Sequence, residues 1–133
     1  MPAPVDFAVP DLARHIEQLS QFDLDRLPFG VILIDRAGTV LFFSQSEAEQ
    51  SGYGKVPLGQ NLFAVSTCMG SDSFRGRIQR AMAAGEVNLA FELPGDYSDP
   101  SRALHVRVQS ARQGGVWICI TRQKAARMAS VSH

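Results

Sequence analysis

The sequence predicts an α+β domain: a five-stranded antiparallel sheet with helices on one face and an N-terminal amphipathic helix. Three observations carry that prediction. Two apolar runs, FGVILID (29–35) and TVLFFS (39–44), flank a turn; a helical stretch fills the middle of the chain; three more apolar runs follow it. Strand pairs separated by helices, with no alternation of strand and helix, make an antiparallel sheet rather than a parallel one.

The elements follow in order. Residues 1–9 carry two prolines, with a third at position 10, and read as a loose arm. In PDLARHIEQLSQF, Asp11 can cap a helix whose stripe is Leu12, Ile16, Leu19 and Phe22. That stripe must be buried on the domain or on a second copy of the chain, so a homodimer through residues 11–22 is one expectation. Asp35-Arg36-Ala37-Gly38 is a turn with glycine at its last position, joining 29–35 and 39–44 into a hairpin. Between Gln45 and Thr67 the periodicity fades, leaving a short helical turn, a glycine-bearing loop and one more turn at NLFAVS (61–66). Ser71 or Asp72 can cap the next helix, whose stripe is Phe74, Ile78 and Met82, with Gly85 ending it. The strands VNLAFEL (87–93), ALHVRVQSA (103–111) and VWICITR (116–122) complete the sheet, the last two joined by RQGG. In the middle one Leu104, Val106 and Val108 share a face and His105, Arg107 and Gln109 the other, so one face is expected to pack and one to be wet. The expected division is an arm and amphipathic helix at 1–23, the domain at 24–122 and a tail at 123–133.

Composition excludes several classes. At 133 residues, 45% hydrophobic and 20% charged, the chain suits one core. Thirteen basic and thirteen acidic side chains cancel, so no field of one sign draws it to nucleic acid or to a membrane. No apolar run approaches the ~20 residues of a span, and MPAPVDFAVP lacks the pattern of a secretory signal. Cys68 and Cys119 fit neither a disulfide scaffold nor a metal-ligand spacing, which points to a reducing, cytoplasmic setting and no metal.

The stretches LDRLPFGVILIDRAGTVLFFSQSE, LGQNLF before Cys68, FEL.GDY at 91–97 and VWICITR resemble the PAS superfamily and, within it, the photoactive yellow protein family. The similarity runs from about Leu24 to Arg122 and implies a PAS fold over 24–122. It also implies 4-hydroxycinnamic (p-coumaric) acid held as a thioester on Cys68. The family's buried, protonated glutamic acid falls on Glu47. Phe43, Phe63, Ser51, Tyr53 and Thr67 fall on the remaining chromophore-binding positions. Phe43 stands where the family has a tyrosine and Tyr53 where it has an arginine; Gly95 and Asp99 also depart. The implied function is a cytoplasmic blue-light receptor that signals to a downstream protein and is no enzyme.

The residues can be read without that resemblance. A cysteine just before a helix start feels the positive end of the helix dipole, which favours the thiolate; a small buried hydrophobe is the plainer reading. Glutamates are rarely buried, but a buried Glu47 would be neutral and a hydrogen-bond donor. The implied mechanism passes its proton to the phenolate and leaves a carboxylate in the core, costing several kcal/mol against a net stability of ~5–15 kcal/mol. Local unfolding would relieve it, with the loosely attached helix 11–22 as the element to release. Phe43 removes a donor, and Tyr53 or Ser44 would have to replace it.

The rivals are a non-photoactive PAS module that dimerises or senses another apolar ligand, a haem protein and a cysteine hydrolase. His15, His105 and His133 all fall off the core, which disfavours an axial ligand. No histidine lies within 61–78 to serve a thiol. TCMGSDSF does not resemble a flavin-adduct site. Arg75, Arg77 and Arg80 spread around a solvated helix face, and Cys119 is read as packing.

Overall fold

The computed structural model describes Phe7 and residues 9–50, 58–65, 72–94, 102–112 and 114–124. In chain order the elements are α1 (Leu12–Ile16), α2 (Gln21–Asp25), β1 (Gly30–Ile34), β2 (Val40–Phe43), α3 (Gln45–Gln50), α4 (Leu62–Val65), α5 (Asp72–Ala84), β3 (Asn88–Pro94), β4 (Arg102–Ser110) and β5 (Val116–Lys124). The strands make one antiparallel sheet in the order β2-β1-β5-β4-β3. The five predicted strands are all present.

The hydrophobic pattern explains the layers. Ile32 and Ile34 of β1 share a face with Ile118 and Ile120 of β5 and with Leu104, Val106 and Val108 of β4. Ala48 of α3, Leu62 and Phe63 of α4, and Ile78 and Met82 of α5 pack against that face. Gly85, with φ +110°, adopts the left-handed conformation that ends α5. Phe74, the third member of the predicted stripe, lies outside the described side chains. At the β1–β2 turn the Asp35 carboxylate accepts from Ala37 and Thr39 N–H, each at 2.9 Å, and Gly38 takes φ +92°. The β1–β2 register then slips, pairing Leu33 with Phe42 but Ile34 with Val40. Leu41 is the extra residue of a bulge, exposed, and Val40 and Phe43 therefore point into the same core.

The opposite face corrects the expectation of a wet surface. Leu12, Ala13 and Ile16 of α1, with Leu24 and Leu27, cover Phe29, Val31, Leu33, Trp117 and Cys119. All five residues of β1 are consequently buried, as its unbroken apolar run requires. The polar residues of β4 on this side hold backbone rather than water. Arg107 donates to the carbonyls of Phe7 (2.7 Å), Val9 and Pro10 (3.1 Å). Gln109 donates to Pro10 O and accepts from the Ala13 N–H, both at 2.7 Å. An irregular segment lying on a sheet leaves backbone groups that need partners, and these two side chains supply them. The Glu17 carboxylate accepts from the Trp117 indole at 2.8 Å and the Arg112 N–H at 2.9 Å, tying α1 to the start of β5.

The single helix expected over 11–22 is two. Ser20 breaks it: its hydroxyl accepts from Asp23 N–H at 3.2 Å and so caps α2. Asp11 makes no side-chain cap; its carboxylate meets the His15 ring at 3.0 Å. Leu12 and Ile16 are buried, whereas Phe22 is 66% exposed beneath the Arg26 guanidinium. The stripe offered to a second copy is thus largely used on the chain's own sheet. The segment is also latched rather than loosely attached. His105, on the same strand face, is half-buried and pairs with Glu92 of β3 at 3.6 Å.

Gln109→Leu should lower the unfolding free energy by about 1–3 kcal/mol, because the buried Ala13 N–H loses its acceptor. A fall in the urea midpoint with an unchanged m-value would check it.

Candidate functional site

Helix α3 is attached to β1 by a chain of hydroxyl groups. Ser44 Oγ accepts the Glu47 N–H at 3.1 Å, capping the first turn, and the Val31 N–H at 3.0 Å. Both acceptor sites are then filled, so the Ser44 proton goes to Ser46 Oγ at 3.1 Å. Ser46 in turn donates to the Phe29 carbonyl at 3.2 Å. The Ser44 backbone adds a bond from its N–H to Val31 O at 2.9 Å. Phe29 and Val31 flank Gly30, so the helix is pinned to the strand on both sides of that glycine.

The four residues SQSE match a capping box, in which the glutamate would reach back to the Ser44 N–H. That N–H is held by Val31 instead, and the Glu47 side chain turns inward, 1% exposed. Its carboxyl group lies over Gly30: a Cβ built on Gly30 would sit 1.9 Å from Oε1 and 2.9 Å from the Glu47 Cβ and Cδ. Gly30 falls on the strand face of Ile32 and Ile34, the face that α3, α4 and α5 cover. Phe43 and Phe63 are buried in the same cluster. The acid thus lies on the face of the sheet whose core holds these two aromatic side chains among aliphatic ones.

The stretch before the predicted attachment point is anchored by Asn61. Its side chain accepts from the Phe63 N–H at 3.0 Å and donates to Ala37 O at 3.1 Å. The Leu62 N–H bonds Gly38 O at 2.9 Å, so α4 is seated on the β1–β2 turn. The Phe63 ring packs against Gly38, where a Cβ would come within 3.0 Å, and the Arg75 guanidinium lies 5.7 Å from its centroid. Asn, Leu and Phe thus each have a local reason to be where they are.

Of the predicted site residues, Glu47, Phe43 and Phe63 are brought to one core. Cys68, Thr67, Ser51 and Tyr53 lie outside the described residues. Ser44 cannot replace the donor missing at Phe43, since its one proton is committed to Ser46. Gly30 and Ser46 escaped the sequence reading. Their signals were a glycine opening an apolar strand and an S-x-x-E pattern after one. Cys119 belongs to the other layer, where burial pushes its thiol up to about 12, only partly offset by the positive charge of Arg107. Among the described residues no cluster of His, Cys, Asp and Glu could hold a metal ion, and no helix is long and apolar enough to cross a membrane.

This architecture is the PAS fold. It superposes with a TM-score of 0.67 on the photoactive yellow protein domain of the sensor histidine kinase Ppr from Rhodospirillum centenum, at 23% identity, covering 80% of this chain and 96% of that domain. No family model matches the chain. It is 31% identical over 121 residues to photoactive yellow protein from Halochromatium salexigens, covering 89% of this chain and 97% of that protein. The protein of the same name from Rhodothalassium salexigens is 28% identical over 121 residues, with the same coverage. The chain belongs to the photoactive yellow protein family.

In native protein Cys119 should resist iodoacetamide and become labelled only on unfolding, as mass spectrometry of digests would read. Its folded-state pKa is raised from 9.0 to about 12, so unfolded chains lose the proton first. The stability this thiol contributes is therefore full below pH 9 and declines as pH rises toward 12. The decline should be absent from Cys119→Ala.

Proposed function

We propose that this chain is a blue-light receptor carrying 4-hydroxycinnamic acid as a thioester on Cys68, with Glu47 as the proton donor in its core. The observation that carries the reading is the burial of the Glu47 side chain against Gly30, on the sheet face whose core also holds Phe43 and Phe63. An ionised carboxylate there would be costly, so the neutral acid is favoured and can donate a hydrogen bond. An aromatic acid suits such walls, and Glu47 supplies a donor for a phenolic oxygen at one end. When bound, the chromophore supplies a light-driven isomerisation and an acceptor for a proton.

The work of the chain's own residues follows from that. Glu47 holds a proton at its carboxyl oxygen in the dark and gives it up after light. The resulting carboxylate in low dielectric costs several kcal/mol, a large part of a domain's ~5–15 kcal/mol. The strain falls on β1, where Val31 and the preceding Phe29 carry the hydroxyl chain from α3 on their backbone groups. Their side chains form the floor on which the N-terminal layer rests, with the Phe7 and Phe29 rings edge to face at 5.4 Å. Loosening of that layer is the output, read by a downstream signalling protein.

Phe43 favours a second reading, a PAS module that senses another apolar ligand or pairs with its own kind, because the phenol donor is missing. Incubation with an activated hydroxycinnamate ester separates the two. The intact mass should rise by one acyl group, with the gain lost in Cys68→Ala and kept in Cys119→Ala. No gain in the wild type would defeat the photoreceptor reading.

A hydrogen bond to a charged acceptor is worth roughly 1.5–3 kcal/mol, or about one to two pKa units. The loaded protein should therefore be partly protonated near neutral pH and absorb at shorter wavelength. Phe43→Tyr should move the absorbance-detected midpoint down by about one to two units. A single yellow species unchanged into strong acid in the wild type would contradict this.

A further inference from the structure

Glycine within a strand weakens it and is usually accounted for by a turn, a left-handed backbone or a close approach. Gly30 opens β1 inside the core, and its φ is not positive. It pairs in regular register with Ile120 of β5. Only the close approach remains. Every other residue of β1 is Val, Ile or Leu, and any of these at position 30 would occupy the space of the Glu47 carboxyl group. Even a methyl group would meet Oε1 at 1.9 Å, and the Cβ of Glu47, which cannot swing aside without the helix, at 2.9 Å.

We infer that Gly30 is a positioning residue for Glu47: its bare backbone forms a notch that seats the carboxyl group against the sheet. The Ser44 and Ser46 hydroxyls hold α3 at the spacing the notch requires. The neighbours on that face, Ile32 of β1 and Ile118 and Ile120 of β5, are branched and uncharged. They leave the acid one seat. The notch thus determines the point from which Glu47 donates its proton. This last role rests on the proposed photoreceptor function, whereas the seating of the acid does not.

The test is a double-mutant cycle with Gly30→Ala, Glu47→Ala and the double variant, first without chromophore. Gly30→Ala should lower the urea midpoint. In the Glu47→Ala background the added methyl group should fill vacated space, and the loss should disappear. Equal losses in both backgrounds, or a double variant that fails to fold while Glu47→Ala folds, would overturn the inference. Should Gly30→Ala alone not fold, recovery of folding in the double variant is the expected rescue. The infrared band of the Glu47 acid, identified by its absence from Glu47→Ala, should shift in Gly30→Ala; an unmoved band counts against the notch. In protein loaded with hydroxycinnamate, Gly30→Ala should shift the absorption maximum in the direction Glu47→Ala does. The double variant should then match Glu47→Ala alone, and an unchanged Gly30→Ala spectrum would refute the role in proton placement. If wild-type protein takes up no chromophore, the photoreceptor reading and the proton-placement role fail together. The stability cycle and the carboxyl band still decide the seat.

Discussion

Helix α3 stands so near strand β1 that even a methyl group at the point of contact would collide with it. The buried acid depends on that spacing. Four hydrogen bonds maintain it: Val31 and Glu47 N–H to the Ser44 hydroxyl, Ser44 to Ser46, and Ser46 to the Phe29 carbonyl. The first turn of a helix has backbone N–H groups with no partner inside the helix, and here one of them is satisfied by a side chain already bonded to the strand. Capping and docking are one event. The Glu47 side chain sealed in this way is kept from water, 1% exposed.

The sheet separates two layers of different character. The side that holds Glu47 is packed with aliphatic and aromatic side chains. The N-terminal side adds directional polar contacts: Arg107 and Gln109 grip the carbonyls of the leading segment, and Glu17 grips Trp117. Each such bond is worth on the order of 1 kcal/mol net, more where charge is involved. One strand is common to both layers, since Phe29 and Val31 carry the hydroxyl chain on their backbones and the N-terminal layer on their side chains. Contiguity of this kind gives a change at Glu47 a short physical route to the opposite surface.

Phe43 contributes ring area but no hydroxyl to this core. The bulge at Leu41 turns Val40 and Phe43 toward the same core, so the ring is buried. Shape and apolar area are retained while the hydroxyl is gone. The Ser44 proton is already donated to Ser46.

The strand pair around Asp35–Gly38, the helix ending at Gly85 and the three later strands were legible because each has a local cause: alternation, turn chemistry or a terminating glycine. The stretch NLF was legible as a motif, although its reason, Asn61 tying α4 to a turn twenty-four residues earlier, was not. The break at Ser20 was missed because apolar spacing alone continues across it. The wet face was misjudged because His105, Arg107 and Gln109 look solvent-bound until an irregular backbone is laid across them. Glu47 was identified from its family position, while its burial could not be inferred from SQSE, which reads equally as a surface cap. The sequence by itself determined the strands, their turns and the family, since those rest on patterns between near neighbours. Only the tertiary structure decided which face the N-terminal segment covers and where the acid sits, since both depend on groups that are distant along the chain meeting in space.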